Sequence, residues 1–246
     1  MHYIYDGSFD GLLTVIYEHA YTEKAEEISI EGSDMQLSLG SVMHVAADTV
    51  KSEKVASALE KKVSPAALRR AYRAYLTAED GREMDILEYV FLAFKIGRDV
   101  DRLHGDPIVR RIDVLNHKVS WETEKFLGIL RFSVIADDSG REVLYAPIKP
   151  NCDIIQAFMP HFLNRYRQEP FIIHDVGREK AAFAENGEWI MRQLSKDFSP
   201  EYTKDELQYQ QLWKNYFKTA GISQRTNPQL QKHFVPTRYW QYMTEL

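Results

Sequence analysis

Cysteine is almost absent from this sequence of 246 residues, in which Cys152 is the only one. A single cysteine cannot form a disulfide within the chain, and it cannot by itself supply a four-cysteine zinc site or hold an iron–sulfur cluster. Such sparse use of cysteine is typical of proteins in a reducing compartment. The sequence therefore predicts a cytoplasmic protein that folds without a disulfide.

Long apolar runs and a basic N-terminal leader are also missing. No window reaches the roughly 18 uninterrupted apolar residues that indicate a membrane helix, and residues 1–13, MHYIYDGSFDGLL, have neither the charge nor the apolar run of a secretion signal. We expect no secretion, no membrane span and no membrane partner.

The common motifs of catalysis and nucleotide binding are a third absence. The sequence contains no GxGxxG, no GxxxxGK[ST], no HExxH and no GxSxG. The usual signatures of dinucleotide, P-loop, zinc-protease and serine-hydrolase sites are therefore lacking. We predict no cofactor for this chain.

Acidic residues exceed basic ones, and the formal net charge is -5. This balance argues against a protein whose whole surface attracts nucleic acid, because attraction to phosphate needs clustered Lys and Arg. The C-terminal region reverses the balance, since no acid occurs between Glu206 and Glu245. The basic residues of that stretch are Lys214, Lys218, Arg225, Lys232 and Arg238. This local concentration of positive charge is the first indication of a function.

Turn and capping residues divide the first half of the chain into short elements. Gly7 and Ser8 separate a strand-like stretch from an apolar run, and Ser-Pro at 64–65 and Asp-Pro at 106–107 are helix-start signals. Gly97 indicates the end of a helix. The predicted elements are a strand over 2–5, a helix over 9–17, a strand over 42–45, and helices from 65, over 84–96 and over 107–125.

The second half alternates apolar runs with turn signals. Asp-Asp-Ser-Gly at 137–140 and Asn-Gly at 186–187 indicate hairpins, and Ser199-Pro200 indicates the start of the last long helix. The predicted elements are a hairpin within 127–148, a helix over 153–166, strands at 171–176, 181–183 and 189–191, and a helix over 200–220. Helices grouped at both ends of a mainly antiparallel sheet indicate an α+β fold.

The dipeptide His174-Asp175 ends an apolar strand and precedes Gly177-Arg178. A histidine beside a carboxylate at a strand end can act as a general base or as a metal ligand. The competing interpretation is that Asp175 caps the following turn and His174 makes a local hydrogen bond. We take His174 and Asp175 forward as catalytic candidates, with both interpretations open.

Acidic and imidazole side chains near the end of the long helix suggest a metal site. The possible zinc or manganese ligands are Asp113, His117, Glu122 and Glu124, with His161 or His174. Their spacings match no metal signature, and Asp113 with His117 also fits an ordinary i,i+4 surface pair. We predict no metal.

Basic, amide and aromatic side chains are interleaved near the C-terminus. Positive charge beside aromatic rings is the arrangement on which single-stranded nucleic acid binds, with its bases stacked on the rings. The competing interpretation makes the aromatic residues of 212–217 a helix core and uses Tyr239 and Trp240 to dock the C-terminus. The predicted nucleic-acid-binding residues are Lys214, Lys218, Arg225, Gln231, Lys232, Arg238, Tyr239 and Trp240.

Several ordered stretches of the sequence resemble a bacterial family described as DNA metabolism or DNA repair proteins. These stretches are YIYDGSFDGLL, GILRF, YAPIKPNCDII, PHFLNRY, FIIHDVGREKAA and RTNPQLQKHFVPTRYW. The resemblance covers nearly the whole chain. It implies a domain of unknown function over residues 84–246, preceded by a strand-helix region with a helical segment over 1–83.

The resemblance implies a function through association. Family members are typically encoded beside a radical-SAM protein of DNA modification or repair, and related domains are fused to domains similar to uracil-DNA glycosylase. This implies a DNA-repair accessory protein that binds single-stranded or distorted DNA and acts with a radical-SAM partner. The chain itself lacks the three cysteines that would hold the cluster of such a partner.

Single positions carry over only where the motifs match. They are Tyr145, Pro147, Pro150, His174, Asp175, Arg178, Arg225, Asn227, Pro228, Gln231, Pro236, Arg238, Tyr239 and Trp240. Arg178 and Asn227 thereby join the predicted nucleic-acid-binding residues. A family pattern of Glu, any residue, His and a basic residue fits Glu122 and Lys125, but Glu124 replaces the His, which argues further against a metal.

Two alternative functions stay open beside the accessory role. One is an enzyme of nuclease or base-excision type that uses His174 and Asp175 on nucleic acid. The other is a scaffold that binds the radical-SAM partner and has no affinity for DNA.

Overall fold

The structure is a computed structural model that describes residues 1–32, 41–137, 139–222 and 227–244. It divides into two compact units, Met1–Ser120 and Trp121–Leu246. The boundary predicted from motif similarity, at 83/84, divides the chain differently and stays a prediction. Among the described residues, no helix combines the length and the apolar composition needed to cross a membrane.

The first unit is built on a parallel sheet of three strands. Strand β1 (His2–Tyr5) is central and pairs with β2 (Glu27–Ile30) on one side and β3 (Val42–Val45) on the other. Helix α1 (Phe9–Tyr21) connects β1 to β2, and Ser8 is its N-cap. The predicted strands at 2–5 and 42–45 and the predicted helix from residue 9 are therefore confirmed.

Three further helices contribute to the hydrophobic core of this unit. Helices α2 (Thr49–Lys62), α3 (Pro65–Tyr75) and α4 (Arg82–Ile96) supply apolar residues that pack with those of β1 and α1. The start of α3 and the end of α4 at Gly97 agree with the prediction. Helix α2 is an addition to the predicted elements, although Asp48 caps it through its side chain.

The second unit contains a sheet of five strands. In spatial order they are β4 (Ser133–Ala136), β5 (Glu142–Ile148), β6 (Phe171–Asp175), β7 (Lys180–Glu185) and β8 (Glu188–Gln193). Neighbouring strands are antiparallel except for β5 and β6, which are parallel. Helix α6 (Ile155–Arg165) connects these two strands. Helix α5 (Pro107–Ile129), which starts as predicted, contains the boundary between the two units.

The α+β class is confirmed, but the prediction of a mainly antiparallel sheet needs a correction. The five-stranded sheet is mixed, and the three-stranded sheet is parallel. The physical reason lies in the connections, because a helix placed between two adjacent strands returns the chain to the same end of the sheet and makes the pair parallel. Both predicted hairpins are present.

The C-terminal region consists of α7 (Lys204–Ala220), α8 (Pro228–Phe234) and a 3-10 helix over Thr237–Tyr242. The predicted start of α7 at Pro200 is wrong, since Thr203 caps this helix. The residues before it run along β4 instead, where Tyr202 forms a bridge with Ile135. Pairing with a strand distant in sequence therefore overrides the local Ser-Pro signal.

The two faces of the five-stranded sheet differ in what covers them. On one face the ring of Phe132 lies between Phe162 of α6 and Phe171 of β6, with centroid distances of 5.6 and 5.7 Å. On the other face Ile135, Val143 and Tyr145 form a smaller cluster with Ile172 and Leu194. The side chain of His174 lies on this second face, because Tyr145 pairs with Ile172 and side chains alternate along a strand.

Candidate functional site

Asp175 and Arg178 form an ion pair at the end of β6. The Asp175 carboxylate is fully buried, and its Oδ1 accepts from the backbone N–H groups of Gly177 and Arg178, both at 3.1 Å. Its Oδ2 accepts from Nη1 of Arg178 at 3.0 Å. Burial raises the pKa of Asp175, and the Arg178 guanidinium opposes that rise. The carboxylate therefore caps the turn after β6 and depends on Arg178 for charge compensation.

Arg178 also binds the segment Pro150–Asp153, named here the 150–153 loop. Its Nη1 donates to the carbonyl oxygen of Pro150 at 3.1 Å, and its Nη2 donates to the carbonyl oxygen of Asn151. One planar guanidinium thus bonds a carboxylate and two carbonyl groups, a geometry that a lysine ammonium cannot reproduce. These contacts give Arg178 a structural role, and its predicted contact with nucleic acid stays a prediction.

Glu122, in α5, is bonded to the same loop. Its Oε1 accepts from the N–H of Asn151 at 2.9 Å, and its Oε2 accepts from the N–H of Cys152 at 2.6 Å. The hydroxyl of Tyr239 donates to Oε1, and Nη2 of Arg238 lies 3.5 Å from that oxygen. A carboxylate that is only 2% exposed therefore joins the 150–153 loop to the C-terminal 3-10 helix.

Tyr239 is enclosed by its neighbours and is 1% exposed. Its ring meets Phe126 edge to face at 4.8 Å, and Cζ of Arg238 lies 4.7 Å from the ring centroid. Burial is the main cause that raises the pKa of Tyr239, so its hydroxyl stays protonated and donates to Glu122. In this arrangement its ring is covered, and base stacking at Tyr239 would require the 3-10 helix to detach.

His174 is also fully buried. The Tyr145 hydroxyl lies 2.8 Å from its Nδ1, and the carbonyl oxygen of Leu194 lies 3.1 Å from its Nε2. Because a carbonyl oxygen only accepts, the proton belongs on Nε2, and Nδ1 accepts from Tyr145. Burial lowers the pKa of His174 and favours this neutral form. The imidazole thus cross-links segments distant in sequence, and catalysis by His174 and Asp175 stays a prediction.

The metal ligands considered from the sequence do not form a cluster, and some of them bond other side chains. Within the described ranges, no group of three or more His, Cys, Asp and Glu side chains could hold a metal ion. Asp113 is bonded to Arg70, and Nδ1 of His104 lies 3.4 Å from its carboxylate.

Helix α7 presents exposed basic and aromatic side chains in its second half. Every residue over 211–220 is exposed. Lys214 and Lys218 lie one turn apart, and the rings of Trp213 and Tyr216 stack with centroids 5.7 Å apart and planes inclined by 28°. The interpretation that these aromatic residues form a helix core is therefore wrong. We name Trp213, Lys214, Tyr216, Phe217 and Lys218 the α7 surface.

Helix α8 and the residues around it contain other residues that were predicted to bind nucleic acid. Asn227 is the N-cap of α8, and its Oδ1 accepts from the N–H of Leu230 at 3.0 Å. Lys232 is exposed and Gln231 is half-buried. The indole N–H of Trp240 donates to the carbonyl oxygen of Val235 at 2.8 Å. Arg225 lies outside the described residues.

The predicted site residues thus separate into two groups. His174, Asp175 and Tyr239 are buried, and the half-buried Arg178 and the exposed Arg238 lie against the buried carboxylates of Asp175 and Glu122. The sequence pattern did not reveal the structural role of Glu122. The 150–153 loop, to which Glu122 is bonded, lies within the motif YAPIKPNCDII. That motif was the signal in the sequence that could have drawn attention to this loop. Lys214, Lys218 and Lys232 are exposed on the two C-terminal helices.

The comparisons with known proteins identify a family. The family described as Domain of unknown function (DUF4130) matches residues 80–245. Comparisons with curated proteins and with solved structures gave no match. The matched range contains Glu122, the 150–153 loop, the ion pair at the end of β6 and the α7 surface. Because it spans more than half of the sequence, the chain belongs to the DUF4130 family, a domain of unknown function.

Proposed function

We propose that this protein binds single-stranded or distorted DNA as an accessory of DNA repair or DNA metabolism. The observation that carries the proposal is the α7 surface, where two lysines one turn apart lie beside exposed aromatic rings. The lysines would attract phosphate groups, and the rings would stack with unpaired bases. A single strand presents both its phosphate groups and its unpaired bases, so a surface that binds it needs the lysines as well as the rings.

The charge around the α7 surface supports this proposal. The acidic residues of α7 are confined to its first turn, at Asp205 and Glu206. Glu206 lies about two turns before Lys214, and it accepts a hydrogen bond from the N–H of Val134 in β4. Lys232 adds an exposed positive charge on α8.

The proposed partner is a radical-SAM protein of DNA repair, as the resemblance to DNA repair proteins implies. In this proposal the partner performs the chemistry, and the present chain holds the DNA without a cofactor of its own. The buried groups around Glu122, Asp175 and Arg178 then maintain the fold that presents α7. This division agrees with the internal hydrogen bonds of the candidate catalytic groups His174 and Asp175 and of Glu122.

A salt titration of binding to a labelled oligothymidylate tests the proposal. We expect the affinity to fall as salt rises, and Lys214→Ala with Lys218→Ala to weaken binding about tenfold. The slope of log affinity against log salt should decrease by about 1.4, since each contact with a single strand contributes about 0.7. The matched control is Lys61→Ala with Lys62→Ala, which removes two exposed lysines from α2. An affinity that does not change with salt concentration, or an equal loss of affinity in both double variants, would contradict the proposal.

Exposed apolar residues on the same helix favour a second candidate, a scaffold that docks the partner protein. Tyr209, Leu212 and Tyr216 share one face of α7 and are 69%, 61% and 61% exposed. Exposed apolar patches mark interfaces with other proteins. This candidate predicts that Leu212→Asp abolishes the complex with the radical-SAM partner and that the chain alone binds no DNA at low salt. Co-purification together with the titration above separates the two candidates.

A further inference from the structure

Strand β8 forms the second edge of the five-stranded sheet. The first edge, β4, is closed, because Ala136 donates its N–H to Glu201 at 3.1 Å and Thr203 donates its N–H to Val134 at 3.2 Å. In the parts of the chain that the structure describes, no segment closes β8 in this way. An unpaired edge is a template for another strand.

The hairpin turn determines which backbone groups of β8 are unpaired. The two-residue turn at 186–187 makes Glu185 and Glu188 a hydrogen-bonded pair, and every second pair along the two strands repeats that pattern. The N–H and C=O groups that point toward β7 are those of Glu188, Ile190 and Arg192. Those that point away from the sheet belong to Trp189, Met191 and Gln193.

The charged side chains of β8 lack partners within the sheet. Glu188 lies opposite Glu185 of β7, a like-charged pair, and Arg141 is engaged with Glu185 at 2.5 Å. Arg192 lies opposite Ala181. Among the described residues neither Glu188 nor Arg192 forms an ion pair. Each therefore presents an uncompensated charge on the exposed strand.

The order of side chains along β8 is complementary to itself. Glu188, Ile190 and Arg192 share one face of the strand, and Ile190 between them is 53% exposed. If a second copy runs antiparallel with Ile190 opposite Ile190, each Glu188 lies opposite an Arg192. The same register places Trp189 of one copy opposite Met191 of the other. The outward N–H and C=O groups of these two residues then form hydrogen bonds between the copies.

We propose that two copies of this chain associate through β8 about a two-fold axis at Ile190. The contact is isologous, because the same strand serves on both copies, and it joins two five-stranded sheets into one continuous sheet. It consists of backbone hydrogen bonds, an apolar contact at the axis and two ion pairs of Glu188 with Arg192. Since one short strand buries little surface, the dimer is reversible and depends on concentration.

Charge reversal tests the pairing, with sedimentation velocity over a concentration series as the measurement. Glu188→Arg places two arginines opposite each other, and Arg192→Glu places two glutamates opposite each other. Each weakens the dimer about tenfold, and Glu188→Arg combined with Arg192→Glu restores it. Glu169→Arg, an equal reversal at an exposed position outside β8, leaves association unchanged. Restoration by the second reversal is an outcome that a general loss of stability would not produce.

Cysteine substitution tests the register. A non-hydrogen-bonded pair of antiparallel residues has Cα atoms about 4.5 Å apart, which lies within the range of a disulfide. Ile190→Cys therefore forms a covalent dimer under mild oxidation, whereas Met191→Cys, which faces Trp189, does not. The native Cys152 is buried, and the wild-type chain gives the background. A chain that stays monomeric at every concentration, charge variants that associate like the wild type, or cross-linking that favours residue 191 would each overturn the proposal.

Discussion

The Arg178 guanidinium bonds a carboxylate and two carbonyl oxygens inside the second unit. Without it the Asp175 carboxylate would be buried without a compensating charge, which is more costly than losing a surface ion pair. The contribution of Arg178 should therefore appear in the stability of the fold.

Replacement of Arg178 tests this role. We expect Arg178→Ala to lower the free energy of unfolding by about 2–3 kcal/mol, less than for a fully buried pair because the Arg178 side chain is 28% exposed. Arg178→Lys should recover less than half of the loss, because an ammonium lacks the planar fork of donors. Urea unfolding measures both, and Arg167→Ala, at an exposed site, should change the value by less than about 0.5 kcal/mol. A stable Arg178→Ala protein that no longer binds DNA would instead make Arg178 a ligand contact.

His174 should make the stability of the fold depend on pH. Burial lowers its pKa below the ordinary value of 6.5, so below that pH the unfolded state binds more protons than the folded state. Its contribution is present above pH 6.5 and is lost as the pH falls. We expect His174→Gln to reduce the slope of stability against pH in urea unfolding between about pH 7.5 and about pH 5.5. His161→Gln removes an exposed imidazole and should leave the slope unchanged, and an equal slope in all three proteins would contradict this role.

Single residues also show what a sequence pattern can reveal. Ser8 and Ser64 cap helices by accepting from N–H groups three residues ahead, so the local sequence is sufficient to predict them. Glu122 and Tyr239 are 117 residues apart, and neither periodicity nor composition relates them. Glu122 was therefore interpreted as a possible metal ligand, whereas the structure bonds it to two backbone N–H groups and a tyrosine.

Among the elements, the C-terminal 3-10 helix depends on its contacts with α5. Tyr239→Phe keeps the ring contact with Phe126 and removes the donor to Glu122. We expect a loss of about 1–2 kcal/mol and faster hydrogen exchange over 237–242, measured by mass spectrometry. Tyr21→Phe, at an exposed position of α1, is the matched control. Unchanged exchange in the Tyr239→Phe protein would show that packing alone holds the 3-10 helix.

The predictability of the elements follows the range of the contacts that form them. The hairpin at 186–187 is specified by two residues with positive φ, Asn186 at 54° and Gly187 at 82°, and its Asn-Gly signal was sufficient. The parallel pairing of β5 with β6 depends on how α6 crosses the sheet, which the turn signals do not encode. The start of α7 depends on the bridge between Tyr202 and Ile135, and this contact is likewise invisible in the local pattern.

For the whole molecule, the order of elements was sufficient to predict the α+β class but not the candidate site. Lys214 and Lys218 were evident from the charge pattern, since no acid follows Glu206 before Glu245. The exposure of Trp213 and Tyr216 was not evident from the sequence, because apolar residues at helical spacing usually face a core. The structure places these rings beside the lysines, and this juxtaposition is the basis of the proposed function.

Mapping where DNA contacts the chain tests the proposed function most directly. The protein is irradiated with a single-stranded oligonucleotide that contains bromodeoxyuridine, and the cross-linked peptides are identified by mass spectrometry. We predict adducts within α7, on Trp213, Tyr216 or Phe217, which disappear as salt rises. Adducts confined to residues 174–178, or the absence of adducts at low salt, would contradict the proposal that α7 is the DNA-binding surface.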